Sequence, residues 1–313
     1  MVNEMSSPPS GRVLVVGAGA TGGYYGALLT RAGRDVTFLV RPGRARQLAE
    51  RGLRITGTTE LVVERPQLVT ADRLATPFDV VLLSVKAPLL SQAVEDVAPA
   101  VGPKTSIVPF LNGIDHVPAL TRRFGRERVL GGVVKVVTAL DDDGDVVQLA
   151  PGASMVVGEL DGLLTERLRR VSASLSGAGY DYATSDDVEA DMWDKWVFIA
   201  SLGATTALVD ASIGDIVAVR GGAELGPAVL AEAAAVARAC GYPTAPESVT
   251  RTAAVLTRPG APTTSSLSRD AAAGRQTEVE QVLGAMVDRG ATHGVATPLL
   301  NAAAVRLRLL ARP

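Results

Sequence analysis

The most chemically loaded residue in this 313-residue sequence is a lysine. Residues 190–208 read ADMWDKWVFIASLGATTAL, and beyond Asp194 and Lys195 the segment is apolar or small around every helical face, which predicts a buried helix. Burying an ammonium costs roughly several kcal/mol, so Lys195 must be paired, release its proton more readily, or line a wet cleft. The bland alternative is that it snorkels along Trp193 or Trp196 to the surface. In a cleft its natural task is general acid catalysis, giving a proton to a carbonyl oxygen while hydride arrives at the carbon.

Two carboxylates compete to be its partner. Residues 263–290 contain SSLSRDAAAGRQTEVEQVL, in which Val279, Val282, Leu283, Met286 and Val287 form one apolar helical stripe. Glu278 and Glu280 flank that stripe on opposite sides, and spacing alone does not choose between them. Ser265 and Ser266, just before, suit either a helix N-cap or a hold on a substrate carboxylate. Lys86 follows the apolar run at 78–85 (FDVVLLSV), and Asn112 follows a strand at 105–110. Each has a plain reading, as a solvated loop lysine and an Asn-Gly turn. In a parallel sheet, however, ligands collect at the carboxyl ends of strands, where both residues fall.

The elements that would position these groups begin at residues 13–26, VLVVGAGATGGYYG. A short apolar strand stops in Gly17, Gly19 and Gly22, spelling GxGxxG before a helix. Gly17 permits the tight turn, Gly19 lets backbone approach a pyrophosphate, and Gly22 allows close helix packing. Free N–H groups at the helix start, around Ala20 and Thr21, favour the anion. A second strand at 35–40 ends at Arg41. An acidic residue there would bind the ribose 2′-hydroxyl of NAD; Arg41, with Arg44 and Arg46 close behind, instead offers guanidinium groups suited to a 2′-phosphate. The expected cofactor is NADP(H), with Arg41 as its main contact.

Strands and helices go on alternating, which predicts an α/β protein: an N-terminal Rossmann-type doubly wound sheet over 12–185, then an all-helical domain over 186–313, after a flexible tail at 1–11. One or two short strands are expected at 52–70, helices at 87–100 and 163–179, and antiparallel hairpins at the sheet edge over 129–160. Two such domains would leave a cleft for a small substrate. A net charge of −2 with scattered basic residues argues against a nucleic acid or anionic membrane partner. No apolar run nears the ~18 residues of a membrane span. The single cysteine, Cys240, excludes an intramolecular disulfide, and the absence of a signal peptide agrees with a cytoplasmic protein. His116 and His293 are far apart, so no metal site is expected, and the apolar helices make a homodimer plausible.

GAGATGG, SVKA, LNG, MWDK, SSL and GRQTEVE, in that order, resemble the ketopantoate reductase family, the NADPH-dependent 2-dehydropantoate 2-reductases, over nearly the whole chain. The resemblance implies a 2-oxo acid substrate, Lys195 as the catalytic lysine and Glu278 as the active-site glutamate. It further implies Asn112 as the asparagine that positions lysine or substrate and meets the cofactor, Ser266 as a substrate-binding serine, and Arg41 and Lys86 as cofactor contacts. Asparagines that the family commonly places four and eight residues after the lysine, on the same helix face, are Ile199 and Gly203 here, which suggests a less polar substrate at that wall. The expected reaction is hydride transfer from NADPH to ketopantoate. Reduction of a less polar 2-oxo acid, ketone or imine is the alternative, and a nonenzymatic NADP(H)-binding sensor is a third reading.

Overall fold

The computed structural model describes residues 11–311, so the expected tail at 1–11 lies, but for Gly11, outside the described residues. Two compact units emerge, one holding residues through 111 and 116–188, the other residues 112–115 and 189 onward. Among the described residues no helix is long and apolar enough to cross a membrane.

In the first unit the strands are β1 (Val13–Val16), β2 (Val36–Leu39), β3 (Leu53–Gly57), β4 (Leu61–Val63), β5 (Gln67–Val69), β6 (Val80–Leu83), β7 (Ser106–Pro109), β8 (Gly131–Leu140), β9 (Val146–Gly158) and β10 (Asp181–Ser185). Its helices are α1 (Ala20–Arg31), α2 (Pro42–Arg51), α3 (Leu90–Val97), α4 (His116–Phe124) and α5 (Glu166–Leu175). A parallel sheet runs β5-β2-β1-β6-β7, the order of a Rossmann-like domain. Its strands β1 and β6 are apolar at every position because both faces are covered: in β1, Val13 and Val15 enter one core, Leu14 and Val16 the other.

A second sheet, β10-β9-β3-β4 with β8 also on β9, replaces the expected edge hairpins. The hairpin itself exists, since β8 and β9 pair antiparallel, but β9 turns at Gly152 (φ +87°) and gives its other edge to two parallel partners, β3 and β10. The expected one or two strands at 52–70 are three, divided between the sheets: β3 and β4 in the second, β5 in the first. At 87–100 the helix is interrupted, with 3₁₀ turns at Ala87–Leu89 and Ala98–Ala100 around α3, each carrying a proline in its first turn.

Helix α1 packs against β1 and β2 and also against β3, β4, β8 and β9, which explains why Gly22 to Leu29 are all buried. Tyr25, fully buried, donates its hydroxyl to the Ser154 carbonyl at 2.7 Å and meets Tyr180 edge to face, with ring centroids 5.0 Å apart. Burial, with Tyr180 and Tyr24 adding to it, pushes the Tyr25 phenol far above its usual range, so it stays a donor. Tyr25→Phe should therefore cost about 1 kcal/mol, a Tm fall of about 2–4 °C by calorimetry, and leave nucleotide affinity unchanged.

The second unit is helical: α6 (Val188–Val209), α7 (Ile213–Ala218), α8 (Gly222–Ala239), α9 (Pro246–Leu256), α10 (Ser266–Ala272), α11 (Ala285–Thr292) and α12 (Pro298–Leu310), around a core built from Trp196, Leu256, Leu283 and Met286. Helix α8 stops before Gly241 (φ +93°), and α12 starts with Pro298 after Thr297.

Candidate active site

The glycine turn after β1 separates two reasons for having no side chain. A Cβ on Gly17 (φ +92°) would lie 2.9 Å from the Ser84 carbonyl oxygen, and one on Gly22 only 2.1 Å from the Gly17 carbonyl oxygen. The fold itself demands both. Gly19 is different: its φ is −84°, and nothing lies within 4 Å of where its Cβ would point. No protein atom requires a glycine at this position, which leaves an approach open to a ligand group. Gly19 caps α1 without a side-chain hydrogen bond, and the first turn holds no acidic residue, so the N–H groups near Ala20 and Thr21 present a positive helix end. These residues fit the pyrophosphate of a dinucleotide.

Other carboxyl ends of the same sheet supply cations. Arg41 is exposed as the N-cap of α2, two residues beyond β2, and Lys86 is exposed three residues beyond β6. Arg46 is likewise exposed. Arg44 differs, because its Nε and Nη2 donate to the Ala18 carbonyl at 3.2 and 3.0 Å, within the glycine turn. Burial draws its guanidinium below the usual range, opposed by the charges of Asp145 and Asp141.

In the second unit, the segment 112–115 after β7 packs with the helices. Asn112 Nδ2 donates to Glu278 Oε2 at 3.0 Å, joining two site candidates 166 residues apart. Gly113 (φ +74°) leaves the space for this approach, since a Cβ there would lie 2.8 Å from the Gln281 carbonyl oxygen. Glu278 stands just before the helix rather than on its flank, and its carbonyl accepts from Val282 N at 3.0 Å. Glu280 is committed elsewhere: Arg308 grips both its oxygens, at 2.7 and 2.6 Å, and that hydrogen bonding holds its carboxyl below the usual range. The two glutamates that spacing leaves equivalent thus have distinct partners.

Residues Glu280–Gly284 form a π turn leading into α11. Such turns are rare and recur at functional sites. The buried Trp196 donates Nε1–H to the Val282 carbonyl at 2.9 Å, tying α6 to this turn one residue from Lys195. Arg289 lies over the Trp196 ring, 5.0 Å from its centroid, and also pairs with Asp115. Sequence reasoning missed this brace; a buried indole always needs an acceptor, but nothing local names the Val282 carbonyl.

Lys195 is half-buried, on a partly open strip of α6 with Asp191, Phe198 and Ile199. The expectation of a helix buried all round is corrected here, because spacing of i, i+4, i+7 and i+8 gathers these side chains on one face. Gly203, further along that face, is buried, and a Cβ on it would lie 2.9 Å from Leu267 Cδ1. Ser265 is the N-cap of α10, accepting from Ser268 N at 3.0 Å, and is locked by Thr206 Oγ1 at 2.9 Å. Ser266 is exposed beside Leu267. Among the described residues no cluster of three or more His, Cys, Asp or Glu side chains could hold a metal ion.

Similarity to known proteins spans both units. The family model described as ketopantoate reductase PanE/ApbA matches residues 13–162, and that described as ketopantoate reductase PanE/ApbA C terminal matches 187–311. The chain is 35% identical over 298 residues to the uncharacterized oxidoreductase YkpB of Bacillus subtilis (strain 168), covering 95% of this chain and 98% of that protein. It is 29% identical to the 2-dehydropantoate 2-reductase of Halobacterium salinarum, covering 96% and 99%. Among solved structures, 2-dehydropantoate 2-reductase from Geobacter metallireducens GS-15 superposes with a TM-score of 0.86 at 29% identity, over 95% of this chain and 99% of that one. A D-mandelate dehydrogenase with NADH and anilino(oxo)acetate shares the fold at the same TM-score of 0.86 and 20% identity, over 96% and 98%.

Proposed function

We propose, since the chain belongs to the ketopantoate reductase family, that this oxidoreductase converts 2-dehydropantoate to pantoate at the expense of NADPH. The supporting observation is the Asn112–Glu278 hydrogen bond, which assembles a polar pair in the unit that also contains Lys195 and Ser266. NADPH supplies, when bound, the hydride that reduces C2. Lys195 Nζ gives its proton to the carbonyl oxygen, so that C=O becomes CH–OH while NADP⁺ and a neutral amine remain, and solvent restores the proton. Asn112 fixes one oxygen of Glu278, and the carboxylate accepts from the substrate hydroxyl or orients Lys195. Ser266 donates to the substrate carboxylate. Gly17, Gly19 and Gly22 seat the pyrophosphate with Ala20 and Thr21. Arg41 takes the 2′-phosphate and Lys86 assists.

A specific observation favours a second reading, with the same chemistry on a less polar 2-oxo acid. Ile199 is a partly open aliphatic side chain one turn from Lys195, and Leu267 fills the space beside Gly203. An apolar wall offers a substrate hydroxyl no hydrogen bond of its own, and loss of such a match changes selectivity by up to about 10⁴-fold. The fold is shared with a D-mandelate dehydrogenase, so fold does not decide.

NADPH oxidation should be followed with ketopantoate beside 2-oxo acids of increasing apolar bulk, then repeated with NADH. The leading reading expects the highest kcat/KM with ketopantoate and a preference for NADPH of at least about tenfold. A branched or aromatic 2-oxo acid surpassing ketopantoate decides for the second reading. Equal use of NADH removes Arg41 from cofactor selection.

A further inference from the structure

Arg44 stands out because it is the one member of the arginine cluster at 41–46 whose guanidinium is turned into the protein. We infer that Arg44 is a positioning residue for the dinucleotide turn, holding the Ala18 carbonyl so that the turn presents only its N–H groups to the phosphates. The inference rests on the dinucleotide reading of that turn. Its geometry is that of a built clamp. Nε and Nη2 both converge on the Ala18 oxygen, at 3.2 and 3.0 Å, across 26 residues of sequence. Nη1 donates to Gln47 Oε1 at 2.6 Å, and Gln47 Nε2 donates to the Asp143 carbonyl at 2.5 Å. The β8–β9 turn closes over this chain of bonds: a Cβ on Gly144 (φ +76°) would lie 2.6 Å from Arg44 Nη1. Three elements distant in sequence, the glycine turn, α2 and the hairpin tip, are thereby joined through two side chains, Arg44 and Gln47.

The physical need is plain. An anion-binding turn must point its amide hydrogens at the ligand and its carbonyl oxygens away, since an oxygen facing a phosphate repels it. Ala18 lies between Gly17 and Gly19, where backbone freedom is greatest and an untethered carbonyl would be least fixed. A charged fork with two donors on that oxygen restricts it, at the strength of charge-assisted hydrogen bonds. Arg44 therefore acts on the pyrophosphate end common to NADPH and NADH, whereas a 2′-phosphate contact such as Arg41 acts on NADPH alone.

Equilibrium titration of nucleotide fluorescence with NADPH and with NADH separates these roles. Arg44→Met, which keeps the aliphatic stem, should weaken both nucleotides by the same factor, roughly tenfold, whereas Arg44→Lys should weaken both by roughly threefold. Arg41→Met should weaken NADPH alone. If Arg44→Met weakens only NADPH, the residue is a direct 2′-phosphate contact; if both dissociation constants stay within about twofold, the clamp has no bearing on binding. Either result overturns the inference. Should Arg44→Met fail to fold, Arg44→Lys and Gln47→Ala carry the same expectation of equal weakening. Failure of the unmodified protein to bind either nucleotide overturns the dinucleotide reading itself, and is thereby distinguished.

Discussion

Lys195→Ala is expected to lower kcat by roughly 10²- to 10⁴-fold, the range of a lost general acid, while the dissociation constant for NADPH stays within about twofold. The two halves of that expectation have separate grounds. The nucleotide-binding candidates from Gly17 to Lys86, all but Asn112, belong to the first unit, and Lys195 to the second. Helix α6 is anchored by the buried Trp193, Trp196, Val197 and Ala200, none of which the substitution touches. Alanine also has the best helix propensity, so the substitution keeps the helix. The backbone at 195 is held one residue away by the Trp196–Val282 hydrogen bond. A rate loss would then report on the missing proton donor and not on a displaced helix. Single-turnover oxidation of bound NADPH measures the chemical step directly, and near-normal turnover in the variant would remove Lys195 from the mechanism.

How much of this was legible in the sequence depends on how local each cause is. The two central strands of the parallel sheet are readable because burial on both faces makes them apolar at every position, VLVV at β1 and VVLL at β6. The second sheet is not, because its key pairing, Ile55 opposite Val146, joins residues 91 apart with no turn between them. Glu278 and Glu280 look alike in sequence because what separates them is Arg308, a full helix later. Arg41 and Arg44 look alike because the acceptor that distinguishes Arg44 is a backbone carbonyl, and a carbonyl has no residue type to read. Lys195 itself was conspicuous in sequence, but the open strip it occupies depends on which face of α6 the other helices leave uncovered.

Two glycines three residues apart should answer the same methyl group in opposite ways. In Gly22→Ala the new carbon would be built 2.1 Å from the Gly17 carbonyl oxygen and 3.0 Å from Ser84 Cβ and Oγ, so backbone must shift. The cost should be about 3 kcal/mol or more, a Tm fall of about 6–12 °C for a unit of this size. In Gly19→Ala the methyl meets no protein atom and the backbone, at φ −84°, accepts any residue. Its Tm should stay within about 2 °C of the parent, since the loss of a favoured N-cap glycine, about 0.5–1 kcal/mol, is offset by the smaller conformational entropy that alanine loses on folding. Its dissociation constant for NADPH, however, should rise roughly 10- to 100-fold, because the methyl occupies the path by which pyrophosphate reaches the turn. Calorimetry and fluorescence titration on the two variants read these effects independently. Tight NADPH binding by Gly19→Ala would remove the turn from the cofactor site. An unshifted Tm in Gly22→Ala would mean that β1 and α1 can separate at no cost. Since the protein's own atoms demand one glycine and not the other, a methyl at each tests in turn what the fold requires and what the ligand requires.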